Sequence, residues 1–174
     1  MKNVLCYVYM KHTAPRSYIK GFTLLEILLV VVIMSILFII VLVGLNPASR
    51  MADSRDARRA QDIGQILTGI HECAIDKKDG TNLATCLGST TIDTVYEIVT
   101  TGTTSGCTAT CPNVDNTNSC LPLDTTLADY FTSLPTDPQV ETAGHTGYSL
   151  VRKSNGMVII EACAAEQGTI LVSR

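Results

Sequence analysis

The sequence lacks the short motifs that identify common enzyme classes. It contains no GxSxG nucleophile elbow, no GxxxxGK(S/T) phosphate loop, no HExxH zinc motif and no obvious Cys/His pairing. Glu161 and Glu166 are better interpreted as strand-edge and turn carboxylates than as an acid/base pair. We therefore expect that this chain is not an enzyme.

Acidic residues are absent from residues 1–21, which carry only basic charges. These charges belong to Lys2, Lys11, Arg16 and Lys20. The remaining nine basic residues face sixteen acids, so residues 22–174 have a formal net charge of −7. Because a nucleic-acid-binding body is expected to be basic, nucleic acid is not an expected partner.

The seven cysteines are unevenly placed, with Cys6 in the basic leader and six after the main apolar run. Those six are Cys73, Cys86, Cys107, Cys111, Cys120 and Cys163. An even number in a small loop-rich region outside the membrane predicts up to three disulfides, in any of about fifteen pairings, with free buried thiols as the alternative.

Metal-ligand spacing is poor. Cys107 and Cys111 have the reach of one half of a zinc site, but no second half follows, and none of the three histidines (His12, His71 and His145) lies beside them in the sequence. The sequence therefore predicts no metal site.

One long apolar run spans residues 22–45, interrupted only by Thr23, Glu26, Ser35 and Gly44. At about 1.5 Å per residue this helix is roughly 36 Å long, which exceeds a hydrocarbon core of about 30 Å. A secretory signal peptide is the alternative, but its apolar region is shorter, about 7–15 residues. The basic leader predicts a cytoplasmic N-terminus and an exported body.

Glu26 requires an explanation, because a carboxylate inside a membrane segment costs at least about 2.5 kcal/mol and is usually paired. No cation lies within residues 22–49, so only Lys20 could reach Glu26 in the intact chain. Cleavage between Gly21 and Phe22 would create an α-amine one helical turn from Glu26, or from the Glu26 of a neighbouring subunit.

Residues 20–26 read Lys-Gly-Phe-Thr-Leu-Leu-Glu and precede about twenty apolar residues. This pattern resembles the class III signal and N-terminal methylation motif of type IV prepilins and type II secretion pseudopilins. The resemblance implies that a membrane aspartyl peptidase cuts after Gly21 and methylates Phe22, and that Glu26 sets subunit registration.

A second helical segment follows the membrane run. Its apolar residues recur with the period of an amphipathic helix. They are Ile63, Ile66, Leu67, Ile70 and Ala74. Pro47 is predicted to kink the helix, or else simply to mark the end of the membrane helix.

Charged residues also lie along this second segment. The spacings of Asp56 with Arg59 and of Arg58 with Asp62 predict weak helix-surface pairs on a solvated face or a subunit contact.

From residue 76 the composition shifts to Gly, Thr, Asn and Asp, and residues 77–80 are a predicted helix stop. We expect a strand within residues 91–100, a turn-rich stretch over residues 102–118, and a short helix capped by Asp124 or Thr125.

Three strands, over residues 148–151, 157–162 and 169–172, are expected to form an antiparallel meander, with Asn155-Gly156 at the first turn.

The resulting prediction is an α+β, pilin-like fold, with a long N-terminal helix packed on a C-terminal antiparallel β-sheet head. Its parts are a cleaved leader (residues 1–21), a transmembrane and filament-core helix (22–45), its amphipathic half (46–75) and an extracytoplasmic head (76–174). The resemblance implies a possible calcium site in a late loop, for which Asp137 and Glu141 have suitable oxygen donors but poor spacing. No cofactor is therefore expected.

Three functions remain open at this point. The favoured one is a subunit of a type IV pilus-like filament, anchored in the cytoplasmic membrane and later displayed as a cell-surface or periplasmic filament. The resemblance implies several partners: the prepilin peptidase/methyltransferase, a membrane platform, an assembly ATPase, related pilins and the bilayer. The alternatives are a type II secretion pseudopilin and a non-polymerising, membrane-anchored binding module.

Overall fold

The computed structural model describes residues 21–77, 82–88 and 90–174. The chain forms two units, Met1–Leu45 and Asn46–Arg174. The basic leader up to residue 20, including Lys20 and Cys6, lies outside the described residues, as do residues 78–80 of the predicted helix stop.

Within the first unit, helix α1 spans Leu24–Leu45. Its residues are almost entirely apolar, and every one of them is exposed in the single chain. The hydroxyl of Ser35 donates a hydrogen bond to the carbonyl of Val31 at 2.7 Å, so this polar group is satisfied within the helix. The apolar surface of α1 therefore has no cover within its own unit.

The second unit begins with helix α2, Pro47–Asp76. Asn46, in the left-handed conformation with φ of 40°, separates it from α1, and Pro47 takes the first helical position, where its missing N–H is not needed. The backbone thus departs from helical geometry at Asn46, and the kink assigned to Pro47 stays a prediction. The helix ends at Asp76, one residue beyond the predicted boundary.

The apolar stripe predicted on α2 is confirmed. Ile63, Ile66 and Ile70 are fully buried, and Leu67 is 8 % exposed. The short helix α3, Asn82–Leu87, packs against α2 and contributes the buried Leu87 to the same core.

A five-stranded sheet covers the other side of this core. Its strands are β1 (Val95–Val99), β2 (Cys120–Pro122), β3 (His145–Arg152), β4 (Val158–Ala162) and β5 (Leu171–Ser173). The spatial order is β2-β1-β3-β4-β5. Buried Ile98, Leu150 and Ile160 face α2 in one hydrophobic core, so the α+β prediction is confirmed.

The C-terminal meander is also confirmed, since β3 pairs antiparallel with β4, and β4 with β5. At the first turn the Lys153 N–H donates to the Met157 carbonyl at 2.8 Å, and Gly156 adopts φ of 84°, which glycine tolerates best.

The expected antiparallel sheet is mixed: β2 pairs parallel with β1, and the other three strand pairs are antiparallel. The connection between these strands contains a short helix α4, Cys107–Thr110, and returns the chain in the original direction.

The short helix predicted after Asp124 is replaced by turns. The Asp124 carboxylate accepts hydrogen bonds from the backbone N–H and hydroxyl of Thr101, at 2.9 and 2.6 Å, so it holds another loop instead of serving as a helix cap. The apolar residues of the segment are nevertheless buried, with Leu127 at 0 % and Leu134 at 7 % exposure.

Candidate functional site

The start of α1 has a specific capping arrangement. The hydroxyl of Thr23 accepts a hydrogen bond from the backbone N–H of Glu26 at 3.2 Å, and the Thr23 carbonyl accepts from the N–H of Ile27. Thr23 is therefore the N-cap, and Glu26 is the third residue of the helix. A carboxylate in this first turn interacts favourably with the positive end of the helix dipole.

Gly21 and Phe22 precede this cap and are both exposed, Phe22 by 78 %. A Cβ atom added at Gly21 would meet no atom within 4 Å among the described residues. Packing against this part of the chain therefore does not require glycine at this position.

Glu26 makes no ion pair within the described part of the chain. Helix α1 carries no basic residue. The group that cleavage after Gly21 would expose is the α-amine of Phe22, which lies four residues before Glu26, or about one turn. The described geometry thus places the predicted cleavage position and the predicted registration residue at one end of one helix.

The rest of α1 presents apolar side chains to its surroundings, for example Leu24 at 83 % and Val43 at 78 % exposure. Among the described residues, one helical stretch, which starts at Leu24, is long and apolar enough to cross a membrane. Such a surface needs lipid or other apolar helices around it. These features indicate that α1 anchors the chain in a membrane.

A buried cluster of charges, which we term the Arg59 network, lies in the second unit. The guanidinium of Arg59 is fully buried and donates to Asp137 at 2.5 and 3.1 Å, to Asp56 at 2.7 Å, to Gln139 at 2.5 Å and to Glu166 at 3.0 Å. Its hydrogen bonds with Asp137 in particular raise the pKa of Arg59. The network connects α2 to the loop before β3 and to the loop after β4.

Two further contacts extend the Arg59 network. Arg55 donates two hydrogen bonds to Glu166, both at 2.6 Å, and together with Arg59 lowers the pKa of Glu166 to about 2. Asp56 accepts the backbone N–H groups of Glu166 and Gln167. Burial opposes ionisation of Asp56, yet these bonds and Arg59 hold its pKa below its usual value.

The interpretation of the α2 charges as a solvated face is therefore wrong for Arg59. The predicted pairs of Asp56 with Arg59 and of Arg58 with Asp62 both form, at 2.7 and 3.9 Å, but only the second includes an exposed side chain, that of Arg58. No periodic pattern in the sequence signals this burial, since the partner residue Asp137 lies 78 positions away.

Asp137 and Glu141, considered for calcium, have different surroundings. Both carboxylate oxygens of Asp137 accept hydrogen bonds from Arg59, whereas Glu141 is exposed. A calcium ion bound at Asp137 would have to compete with the guanidinium.

The six cysteines that follow the apolar run form three disulfides, as the sequence predicted in number. The pairs are Cys73–Cys86, Cys107–Cys120 and Cys111–Cys163. The first joins α2 to α3, and the other two tie the turn-rich connection between β1 and β2 to the sheet and to the residue that follows β4.

A second polar cluster brings together a histidine and a cysteine that are not close in the sequence. His145 lies beside Cys107 although it is distant in sequence, and its Nδ1 is 2.9 Å from an oxygen of Glu97. The expectation that no histidine accompanies the cysteines is thus incorrect in space. Pairing of β1 with β3 brings His145 opposite Val99, and sequence spacing does not reveal such pairing.

Comparison with known families gives one match. Residues 16–42 match the family described as the prokaryotic N-terminal methylation motif. The match includes Gly21, Phe22 and Glu26 and most of α1. No curated protein and no solved structure matches the chain.

Proposed function

The chain carries the class III prepilin signal shared by type IV pilins and pseudopilins, and from this premise we propose that it is a structural subunit of a type IV pilus-like filament. In this proposal the chain is cut after Gly21, methylated on Phe22 and polymerised through α1. The observation that carries it is the start of α1, where Gly21, the exposed Phe22 and the single carboxylate Glu26 lie within six residues on either side of the Thr23 cap.

Gly21 supports the cleavage step. Because a Cβ atom at Gly21 would meet no atom within 4 Å among the described residues, an alanine or valine is compatible with packing against that part of the chain. A peptidase that binds the segment before the Thr23 cap would account for a glycine at this position.

Glu26 supports the assembly step. A carboxylate in a membrane helix is costly unless it is paired, and cleavage supplies a cation at the same helix end. Before assembly the new α-amine of Phe22 can pair with its own Glu26. In a filament it can pair with the Glu26 of a neighbour and fix the axial position of one helix against the next.

The exposed apolar face of α1 supports both states of the subunit. Lipid covers it in the membrane, with the basic leader on the cytoplasmic side. Helices of other subunits cover it in the filament, while the disulfide-bonded head lies on the outside, where such bonds persist. The peptidase/methyltransferase, the membrane platform, the assembly ATPase and related pilins are the partners that this route requires.

The test is intact mass and N-terminal sequencing of the protein isolated from membranes of its host, compared with a Gly21→Val variant. We expect the unaltered chain to begin at Phe22 with about 14 Da added, and the variant to retain residue 1. Gly64→Ala is the matched control, because Gly64 is also open to a Cβ atom and should leave processing unchanged.

An uncut wild-type chain would contradict the proposal and favour the anchored binding module. If the chain is cut, imaging of sheared surface filaments separates the two filament types: surface filaments containing this chain support the pilus. Their absence, together with loss of protein secretion in a strain lacking the chain, supports the pseudopilin.

A further inference from the structure

Three potential metal ligands meet inside the head and a fourth is bonded to one of them; we call these four residues the Glu97 cluster. Ligand atoms of Glu97, Cys107 and His145 all lie within 4.8 Å of one another, and all three residues are buried. Cys120 is the fourth member, since it is bonded to Cys107. In the described structure the two sulfurs are joined as a disulfide.

The sheet places these residues together. Glu97 in β1 lies directly opposite Cys120 in β2, and residues opposite each other in a sheet project from the same face. A bulge in the pairing of β1 with β3, between Glu97 and Val99, brings His145 to the same place. Cys107 begins helix α4, which is held over β1 and β3.

The histidine is held in a defined orientation. Its Nδ1 contacts one oxygen of Glu97 at 2.9 Å, and the backbone N–H of Gly147 donates to the other oxygen at 3.3 Å. The opposite edge of the ring faces the residue before Cys107: a Cβ atom at Gly106 would lie 3.7 Å from Nε2. A carboxylate that fixes one ring nitrogen and leaves the other for the metal is a recurrent arrangement for zinc-binding histidines.

A purely stabilising role explains the pair poorly. Glu97 is 0 % and His145 is 8 % exposed, and buried ionisable pairs are often no more stable than apolar residues of the same size. Tetrahedral zinc holds nitrogen, oxygen and sulfur ligands at about 2.0–2.3 Å, which sets them roughly 3.3–3.8 Å apart. The ligand atoms of Glu97, Cys107 and His145 lie within 4.8 Å of one another and exceed that spacing by at most about 1.5 Å, whereas Cys120 has to move to it as the two sulfurs separate.

We propose that the Glu97 cluster binds a zinc ion when the Cys107–Cys120 disulfide is reduced. A phosphine or dithiol reductant supplies two electrons, the S–S bond breaks, and two thiols form. Zinc binding displaces one proton from each thiol, so the ion is held by two thiolates and by His145. Glu97 either serves as the fourth ligand or orients the imidazole through its bond to Nδ1. Reoxidation removes two electrons to an acceptor disulfide, re-forms the S–S bond and releases the ion.

The experiment uses the full chain in detergent, reduced with a phosphine that does not compete for metal, and titrated with Co²⁺ and then Zn²⁺. We expect one Co²⁺ per reduced chain, with thiolate-to-cobalt charge-transfer bands and tetrahedral visible bands, and displacement by one Zn²⁺. The oxidised chain should show neither. A His145→Asn variant should bind at least about tenfold more weakly, whereas removal of Cys73 and Cys86 together should leave the spectrum unchanged.

A second measurement covers the case in which reduction loosens the head. Alkylation of the reduced chain is followed by mass spectrometry for each cysteine, with and without zinc. Selective protection of Cys107 and Cys120 supports the site. Equal protection of all six disulfide-forming cysteines, protection of none, or identical cobalt affinity in the wild type and His145→Asn would overturn the proposal.

Discussion

Replacing Arg59 by methionine removes the cation from the Arg59 network while keeping a long, unbranched side chain on α2. The carboxylates are affected unequally. Glu166 retains both hydrogen bonds from Arg55, and Asp56 retains the backbone N–H groups of Glu166 and Gln167. Asp137, whose side chain is 0 % exposed, loses both of its bonds from the guanidinium and keeps only a backbone N–H from Gln139 among its described contacts.

The magnitude follows from that one unpaired carboxylate. Removing one partner of a buried ion pair typically costs about 3–5 kcal/mol, because the other charge stays desolvated without compensation. With a urea dependence of about 1.5 kcal/mol per molar, typical of a small domain, the unfolding midpoint should fall by about 2–3 M. Arg58→Met is the matched control: its side chain is 65 % exposed and 3.9 Å from Asp62, so it should cost at most about 1 kcal/mol.

The assay is pulse proteolysis of the oxidised full chain in detergent across a urea series, which measures the folded fraction of the head. A double variant, Arg59→Met with Asp137→Asn, also removes the unpaired Asp137 charge and should recover part of the stability lost in Arg59→Met. The reasoning fails if Arg59→Met shifts the midpoint no further than Arg58→Met, or if the double variant is no more stable than Arg59→Met alone.

Two other predictions concern assembly and pH. The Glu26→Gln chain should still be processed, but its filament yield should fall at least about tenfold, because the lost pairing is worth more than about 1.4 kcal/mol. Quantitative immunoblots of sheared filaments measure the yield, with Ser35→Ala as the control variant. Equal yields from the two variants would refute the role of Glu26. The folded pKa of Glu166 is lowered from 4.5 to about 2, so the stability from its pairing with Arg55 is fully present above about pH 4.5 and is lost as the pH falls through about 2. Glu166→Gln should flatten the dependence of the urea midpoint on pH in that interval, and parallel curves for the variant and the wild type would contradict the assignment.

The sequence was most informative for features that depend only on residues close together in the chain. The 3.6-residue period of Ile63, Ile66 and Ile70 located the buried face of α2, and Asn155-Gly156 located the turn between β3 and β4, because each pattern depends only on neighbouring residues. Residues 20–26 identified the signal at the start of α1 in the same way.

The features that escaped prediction depend on contacts between distant residues. Burial of Arg59 requires Asp137 and Glu166, which approach only after the head has folded. The meeting of His145 with Cys107 depends on strand pairing and a bulge, and the parallel pairing of β2 depends on the path of a 20-residue connection for which no periodic signal exists. Asp124 failed as a helix cap because Thr101 competes for its oxygens.

The connectivity of the disulfides also determines how the head responds to mechanical load. A pulling force applied between Asn46 and Arg174 follows the shortest covalent path, which crosses from Cys73 to Cys86 and from Cys111 to Cys163. Residues 74–85 and 112–162 lie off that path, and the second stretch contains β2, β3 and β4. Tension can therefore peel α2, β1 or β5 from the head, but it cannot extend β2, β3 or β4 while the two crosslinks hold. A subunit under tension would lengthen by only part of its contour length and retain folded structure from which the rest can refold.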